Sequence, residues 1–284
     1  MAVPVLYHFP PSPYSMRARI VLAEKGIPWE GRVLNIIREK NYEPSYVKLH
    51  PGAVVPMLVV GDEIVVESDR IVRFLEERYP EPSLTPTDEA ERARMEEWYA
   101  RAMAFSLERI HAATMTRASV MLDAFALGRR VKRLEALARK HPDLEAAYTA
   151  KAADIARKHE NAARPITRAE AIAEVEAVLD RMESELAKHP WLAGSTYSLA
   201  DVMWTVVLSR FSILGLSPLW SAERRPAVAR WWARIVARPS FTGGDVWTKM
   251  KPLALAPYVA PIIAPVLVGL VAVIAVVVWL LARR

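Results

Sequence analysis

The 284-residue sequence contains no cysteine. That absence excludes disulfides, thiolate metal sites, a cysteine nucleophile and dithiol exchange, so any thiol chemistry must borrow its thiol from a small molecule. No metal site is expected. The opening MAVPVLYHF lacks a basic stretch followed by a long apolar run, so no secretory signal is expected and the bulk of the chain is placed in the cytosol. No internal repeat is present, and nothing points to a nucleic-acid partner. What is there is 52% hydrophobic and 25% charged, which suits a packed core under a solvated surface and predicts two globular units and a tail.

The first 82 residues read as alternating strand and helix. Val3 to Phe9 is a short apolar run, and Ser15 to Lys25 places Met16, Ile20 and Ala23 at helical spacing before Gly26-Ile27-Pro28 stops it. Trp29 to Asn35 is a second candidate strand. Met57 to Val60 and Glu63 to Val66 predict a hairpin across Gly61-Asp62, and Ser68 to Tyr79 predicts a helix with Ile71, Val72 and Leu75 inward. This order is the thioredoxin-like pattern, with a sheet of mixed direction.

Pro80 to Pro86 is a proline-rich link. Beyond it strand-type alternation is missing, and residues 86–245 predict an all-helical domain with helices at Ala90 to Arg109, Thr167 to His189, Leu199 to Phe211 and Ala227 to Ala237. Ser198 with Asp201 marks the start of the third as a capping pair. An insertion at 112–168 is basic: from Arg117 to Glu170 there are 12 Lys and Arg against 7 Asp and Glu. Two readings stay open, a solvated helical pair or a surface that meets anionic lipid. Residues 246–261, with Pro252, Pro257 and Pro261, predict an extended, stiff connector. Ile262 to Ala282 then runs 21 residues without a charge, enough at ~1.5 Å rise per residue to span a bilayer of roughly 30 Å. A C-terminal transmembrane anchor is expected there, with Trp279, Arg283 and Arg284 at the interface and the N-terminal bulk on the cytosolic side of a bacterial inner or mitochondrial outer membrane.

Three places can carry chemistry. Ser12-Pro13-Tyr14-Ser15 opens the first helix, where unpaired amides and the helix dipole favour an anion; a plain N-cap is the alternative for either serine. Val55-Pro56 precedes a strand and reads as a cis-proline that leaves the Val55 backbone free for an extended peptide, or as an ordinary tight turn. Glu67-Ser68 begins the next helix and offers a carboxylate for an amine, and a hydroxyl with free N–H groups for a carboxylate; capping of that helix is again the alternative. All three sites lie at or beside one edge of a small sheet and together suit a zwitterionic peptide thiol.

Over residues 3 to 245 the sequence resembles the glutathione transferases. Ser12 to Gly26 is similar to the segment bearing the catalytic serine in the tau and zeta classes and the cysteine of the omega class. His50-Pro-Gly-Ala-Val-Val-Pro56 resembles the family's Asn-Pro-x-x-x-Val-Pro element, Glu67-Ser68 its acid–serine pair, Trp191 to Asp201 its capped helix, and Pro226 to Phe241 its last helices. The insertion and hydrophobic tail resemble the tail-anchored ganglioside-induced differentiation-associated proteins. The resemblance implies glutathione as co-substrate, Ser12 and Ser15 as catalytic residues, and Ser12, Tyr14, His50, Val55, Pro56, Glu67 and Ser68 as its binding residues. It also implies a homodimer and an apolar electrophile held near Arg101, Phe105 and Met115. Two positions depart from the pattern: His50 replaces asparagine, and Ala53 stands where many members carry a Lys or Gln toward the glycyl carboxylate. The expected protein is a membrane-anchored transferase that conjugates or reduces apolar electrophiles with glutathione; the alternative is a non-catalytic or weakly active membrane-tethered scaffold or redox sensor that meets lipid or protein partners through its basic insertion.

Overall fold

The structure, a computed structural model, describes residues 2–162 and 166–261. Strand β1 (Val5–His8) leads into α1 (Pro13–Glu24), which returns to β2 (Glu30–Val33); two short 3-10 turns and α2 (Pro44–Leu49) precede the hairpin β3 (Met57–Val60) and β4 (Glu63–Val66), and α3 (Ser68–Arg78) follows. The sheet order is β2-β1-β3-β4, with β1 parallel to β2 and antiparallel to β3. The mixed direction follows from the connections: a helix must carry the chain back for the parallel pair, whereas the β3–β4 turn reverses it in two residues. Gly61, at φ +61°, supplies the left-handed backbone of that turn.

Further helices follow, among them α4 (Glu89–Ala104), α5 (Leu107–Thr114), α6 (Arg117–Lys140), α7 (Glu145–Ala162), α8 (Arg168–Leu186), α9 (Leu199–Ile213), α10 (Pro226–Ala237) and α11 (Pro239–Gly243). Helix α1 is the wall between sheet and bundle. Its segment from Ser15 to Leu22 is buried, packed against α3 on one side and α9 and α11 on the other. The join is polar as well as apolar. Arg19 Nε donates to the Gly244 carbonyl at 2.8 Å, and the guanidinium of Arg238 grips the Glu24 carboxylate at 2.6 and 2.7 Å. Lys25 is buried against Glu76 at 2.7 Å and also donates to the carbonyls of Tyr79 and Pro82, which fixes the link to the end of α1. Behind α1, the apolar α9 brings Trp204 edge-on to Trp98 of α4, with centroids 5.6 Å apart, and its indole donates to the Trp98 carbonyl.

The basic insertion is an α6–α7 hairpin with a small core of its own. Leu134, Tyr148, Ala152 and Ile155 share that core with Tyr42, Val47 and Ala53 of the first unit, and the Tyr148 hydroxyl donates to the Tyr42 carbonyl at 2.9 Å. One face of the hairpin is therefore covered by the loops between β2 and β3.

Three expectations need correction. The helix expected from Ala90 to Arg109 is two, because Phe105 leaves the helical path to pack on Trp204 and Phe211, and Ser106 caps α5 by accepting from Arg109 N. The connector is not extended throughout, since 252–261 is helical. Pro252 sits at its start, where a missing N–H costs nothing, while Leu255 and Tyr258 pack on the body. Third, the transmembrane helix and the membrane location built on it do not stand. Among the described residues no helix is long and apolar enough to cross a membrane. The apolar α9 has only 15 residues, short of the ~20 a bilayer requires, and is buried inside the bundle. The segment 262–282 that prompted the expectation lies outside the described residues. The fold class is thus a thioredoxin-like α/β unit followed by a helical unit.

The bundle depends on one buried carboxylate. Asp201 accepts from Trp231 Nε1 at 2.8 Å, Leu192 N at 3.1 Å, and Ser198 N and Oγ at 3.0 and 3.1 Å. Full burial outweighs the four donors, which favour the charged form, and leaves its carboxyl raised to about 6. Asp201→Ala strands buried donors at ~1–3 kcal/mol each. The expected result is a loss of about 3 kcal/mol or more in urea unfolding; a change below 1 kcal/mol would remove Asp201 from this role.

Candidate active site

The cleft begins at the turn from β1 into α1. Ser12 N donates to the Phe9 carbonyl at 3.0 Å, and Ser12 Oγ accepts from Ser15 N at 3.3 Å, so Ser12 is the N-cap of a helix with Pro13 in its first turn. The cap leaves the hydroxyl proton free to be donated. Ser12 lines a cavity of about 380 Å³, walled on its apolar side by Phe9, Ile36, Ile37 and Leu127. Ser15 is placed differently. It is fully buried and its Oγ accepts from Phe9 N at 3.4 Å, so it braces the turn from behind and does not line the cleft.

Opposite Ser12 is the 53–56 loop. The Val55–Pro56 peptide is cis, and the loop is pinned by Asn41, which donates to the Ala53 carbonyl at 2.8 Å, and by the Tyr46 hydroxyl, which donates to the Val54 carbonyl. Val55 lines both this cavity and a second of about 270 Å³, where Pro56, Glu67 and Ser68 also lie. Glu67 is held at φ +68°, a backbone state that costs a non-glycine residue ~1–3 kcal/mol and is found where surroundings over-determine it.

Tyr14 lines both cavities, and its hydroxyl donates to the Glu108 carboxylate. Burial first, and the Glu108 charge second, hold this phenol well above its usual range. With the Tyr14 proton engaged, Ser12 is the hydroxyl free to donate at the mouth of α1. His50, like Ser15, is a predicted residue that does not line the cleft. It is 2% exposed, ends α2 and takes the Ala53 N–H on its carbonyl, while its ring lies over Gly52, where a Cβ would come within 2.9 Å. The imidazole shapes the loop from behind.

Sequence reasoning overlooked the charged lining. Arg17 is buried at the smaller cavity, its Nη1 3.3 Å from Ser68 Oγ and its Nε without a hydrogen-bond partner. Asp69 also lines it and accepts from the Tyr99 hydroxyl at 2.6 Å. The available signal was Arg17 itself, a cation amid Met16, Ala18 and Ile20 on a helix with little polar surface. Lys151 and Lys158, from the insertion, face the larger cavity; nothing in local spacing links α7 to a loop a hundred residues earlier. Arg101, Phe105 and Met115, expected beside an electrophile, are not among the residues lining these two cavities. Phe105 is tied up with Trp204 and Phe211, and Arg101 pairs with Glu97 on the outside of α4, leaving Phe9, Ile36, Ile37 and Leu127 as the apolar wall. Among the described residues no cluster of three or more His, Asp or Glu could hold a metal ion.

Two family models match: the glutathione S-transferase N-terminal domain over residues 6–83 and its C-terminal domain over residues 142–239. A tetrachloro-p-hydroquinone reductive dehalogenase from Sphingobium chlorophenolicum is 34% identical over 248 residues, 87% of this chain and 97% of the relative. The chain belongs to the glutathione S-transferase family. It is also 26% identical, over 278 residues, to the human ganglioside-induced differentiation-associated protein 1-like 1, covering 87% of this chain and 75% of that one. Among solved structures, a beta-etherase from Sphingobium sp. strain SYK-6 superposes with a TM-score of 0.64 at 22% identity, over 85% of this chain and 98% of the other, which is a likeness of fold. As a transferase-type enzyme without a cysteine, the chain works with glutathione supplied from solution.

Burial also makes the site sensitive to acid. Desolvation first, and Lys151 second, lower His50 from 6.5 to about 4. The folded state therefore binds the His50 proton more weakly than the unfolded chain, so this group lowers stability as pH falls from 6.5 toward 4 and has no effect above 6.5. His50→Asn is expected to flatten that acid limb by up to about 3 kcal/mol, read from urea midpoints at successive pH values. Parallel pH profiles for the two proteins would refute the assignment.

Proposed function

We propose that the enzyme binds glutathione across the two cavities, with the thiol at Ser12, and transfers it to an apolar electrophile held against Phe9, Ile36, Ile37 and Leu127. The γ-glutamyl end takes the smaller cavity, its amine facing Glu67 and Asp69 and its carboxylate facing Ser68 and Arg17. The peptide backbone passes the Val55–Pro56 segment. Ser12 orients without becoming covalent. A hydroxyl of ordinary acidity is no base, so its contribution is to donate a hydrogen bond to the thiolate while the α1 dipole favours the charge, which lowers the thiol pKa. The thiolate sulfur then attacks the electrophilic carbon, an S–C bond forms, and the leaving group departs with the bonding pair.

The observation that carries this reading is the free Ser12 hydroxyl at the capped start of α1, opening on the cavity while the Tyr14 hydroxyl is held by Glu108. The dehalogenase relative suggests a halogenated aromatic as the electrophile. With no cysteine in the chain, any further reduction of the conjugate requires a second glutathione: its thiolate attacks the first sulfur, glutathione disulfide forms, and the carbon takes the electron pair and a proton. Conjugation is therefore the favoured outcome.

Ser12→Ala is expected to lower kcat/KM for a chlorodinitrobenzene-type substrate about 10²-fold, as losing one donor to a developing or resident anion does elsewhere. The accompanying rise in the pKa of bound glutathione should appear in the pH–rate profile. An unchanged rate and profile would exclude Ser12 from the mechanism.

A further inference from the structure

The two adjoining cavities carry opposite charge. Acids Glu67, Asp69 and Glu108 outnumber the cations Arg17 and Lys158 in the smaller one. In the larger one, beside Ser12, Arg130, Lys151 and Lys158 face a single acid, Asp154. That acid is already shared. Arg157 approaches it at 2.9 Å, Lys158 at 3.1 Å and Lys151 at 3.7 Å, and Arg130 sits 3.6 Å from Glu39. Positive charge is therefore left over at the cleft. Lys151 is the more telling of the two lysines, since its side chain is only 9% exposed and the carboxylate it meets, Asp154 at 3.7 Å, is shared with Lys158 and Arg157 at shorter range. Burial and the neighbouring Lys158 both press its pKa down, which a bound anion would relieve.

These lysines are fixed in place by packing. Ala152 and Ile155 of α7 are buried together with Ala53 and Tyr42, so the hairpin cannot swing away without opening a core. Ala53 is 1% exposed, at φ +48°, and α7 lies over it.

A tripeptide thiol placed with its sulfur at Ser12 and its zwitterionic end at Ser68 has one charged group unaccounted for, the carboxylate at its glycyl end. We infer that α7 supplies the cations for that carboxylate, Lys158 at the junction of the cavities and Lys151 beneath it, so that the basic insertion is part of the glutathione site. This rests on the binding mode proposed above. The insertion then acts as a specificity element for a thiol peptide ending in a free carboxylate, a role distinct from a solvated helical pair.

The test compares glutathione with its glycyl ethyl ester, which differs only in that carboxylate, by calorimetry on the full chain. The native protein is expected to bind glutathione about tenfold more tightly than the ester, as one charge-assisted hydrogen bond gives. Lys158→Gln, at an exposed side chain that leaves the hairpin core intact, should reduce that preference to about twofold, and Lys158→Arg should restore most of it. Lys151→Met should act in the same direction. A purely structural effect would weaken both ligands alike and leave the ratio unchanged, which would overturn the assignment. Equal affinity of the native protein for the two ligands would overturn it while leaving the function intact. Failure to bind either at millimolar concentration would overturn both.

Discussion

The short turn from β1 into α1 is the constraint on which the cleft depends. It places a hydroxyl at the start of a helix whose first-turn N–H groups have no carbonyl to bond, and whose dipole is positive at that end. Everything nearby holds that turn still. Ser15 braces it from beneath, the Phe9 carbonyl closes it, and Arg19 ties it to the bundle by donating to the Pro10 carbonyl at 2.8 Å and to the carbonyls of Gly244 and Asp245. A helix start with that much support does not relax toward solvent when a charge arrives, and such preorganisation is what lets a hydrogen bond act on a thiolate at little reorganisation cost.

The second constraint is that α1 belongs to both halves of the molecule. The sheet covers one side of it and α9 with α11 cover another, so the cleft is formed where three elements of the first unit meet a helix of the second. The hairpin α6–α7 adds a third party. By burying Tyr42 and Ala53 it turns loops that would be surface into walls, and it gives the cleft its apolar rim at Leu127 as well as its cations. A module of this kind is stabilised by the very contacts that shape its site.

The strands and the hairpin were legible because apolar runs and a Gly-Asp turn are local signals, and Ser198 with Asp201 announced the start of α9 for the same reason. Ser12, Val55, Pro56, Glu67 and Ser68 could be gathered at one edge from the order of elements alone. What could not be read was pairing at a distance. Ser15 differs from Ser12 only in facing the interior, which depends on the Phe9 amide; His50 was expected to bind because its segment resembles the family's Asn-Pro-x-x-x-Val-Pro element, whereas its burial, with the ring against Gly52, keeps it behind the loop. The apolar wall needed Leu127 of α6 to line the same cavity as Phe9, a placement that no periodicity encodes. The reading of 262–282 as an anchor came from hydropathy alone, and none of the helices among the described residues provides a membrane span.

Helix α1 carries three buried cations, and their polar partners divide them. Arg19 is satisfied by three backbone carbonyls and the ring of His8, whose pKa burial and that guanidinium together lower to about 4. Lys25 has the Glu76 carboxylate and two carbonyls. Among the described residues Arg17 meets a serine hydroxyl, the Met103 sulfur and the face of the Tyr14 ring at 5.1 Å, and its Nε has no hydrogen-bond partner. Burying a guanidinium is costly unless its donors are met, so the first two positions explain themselves as fastenings of the fold. The third does not, and it is the one of the three that lines the cleft. A carboxylate arriving beside Ser68, in the binding mode proposed above, would complete its shell, so the shortfall at Arg17 is what that proposal accounts for.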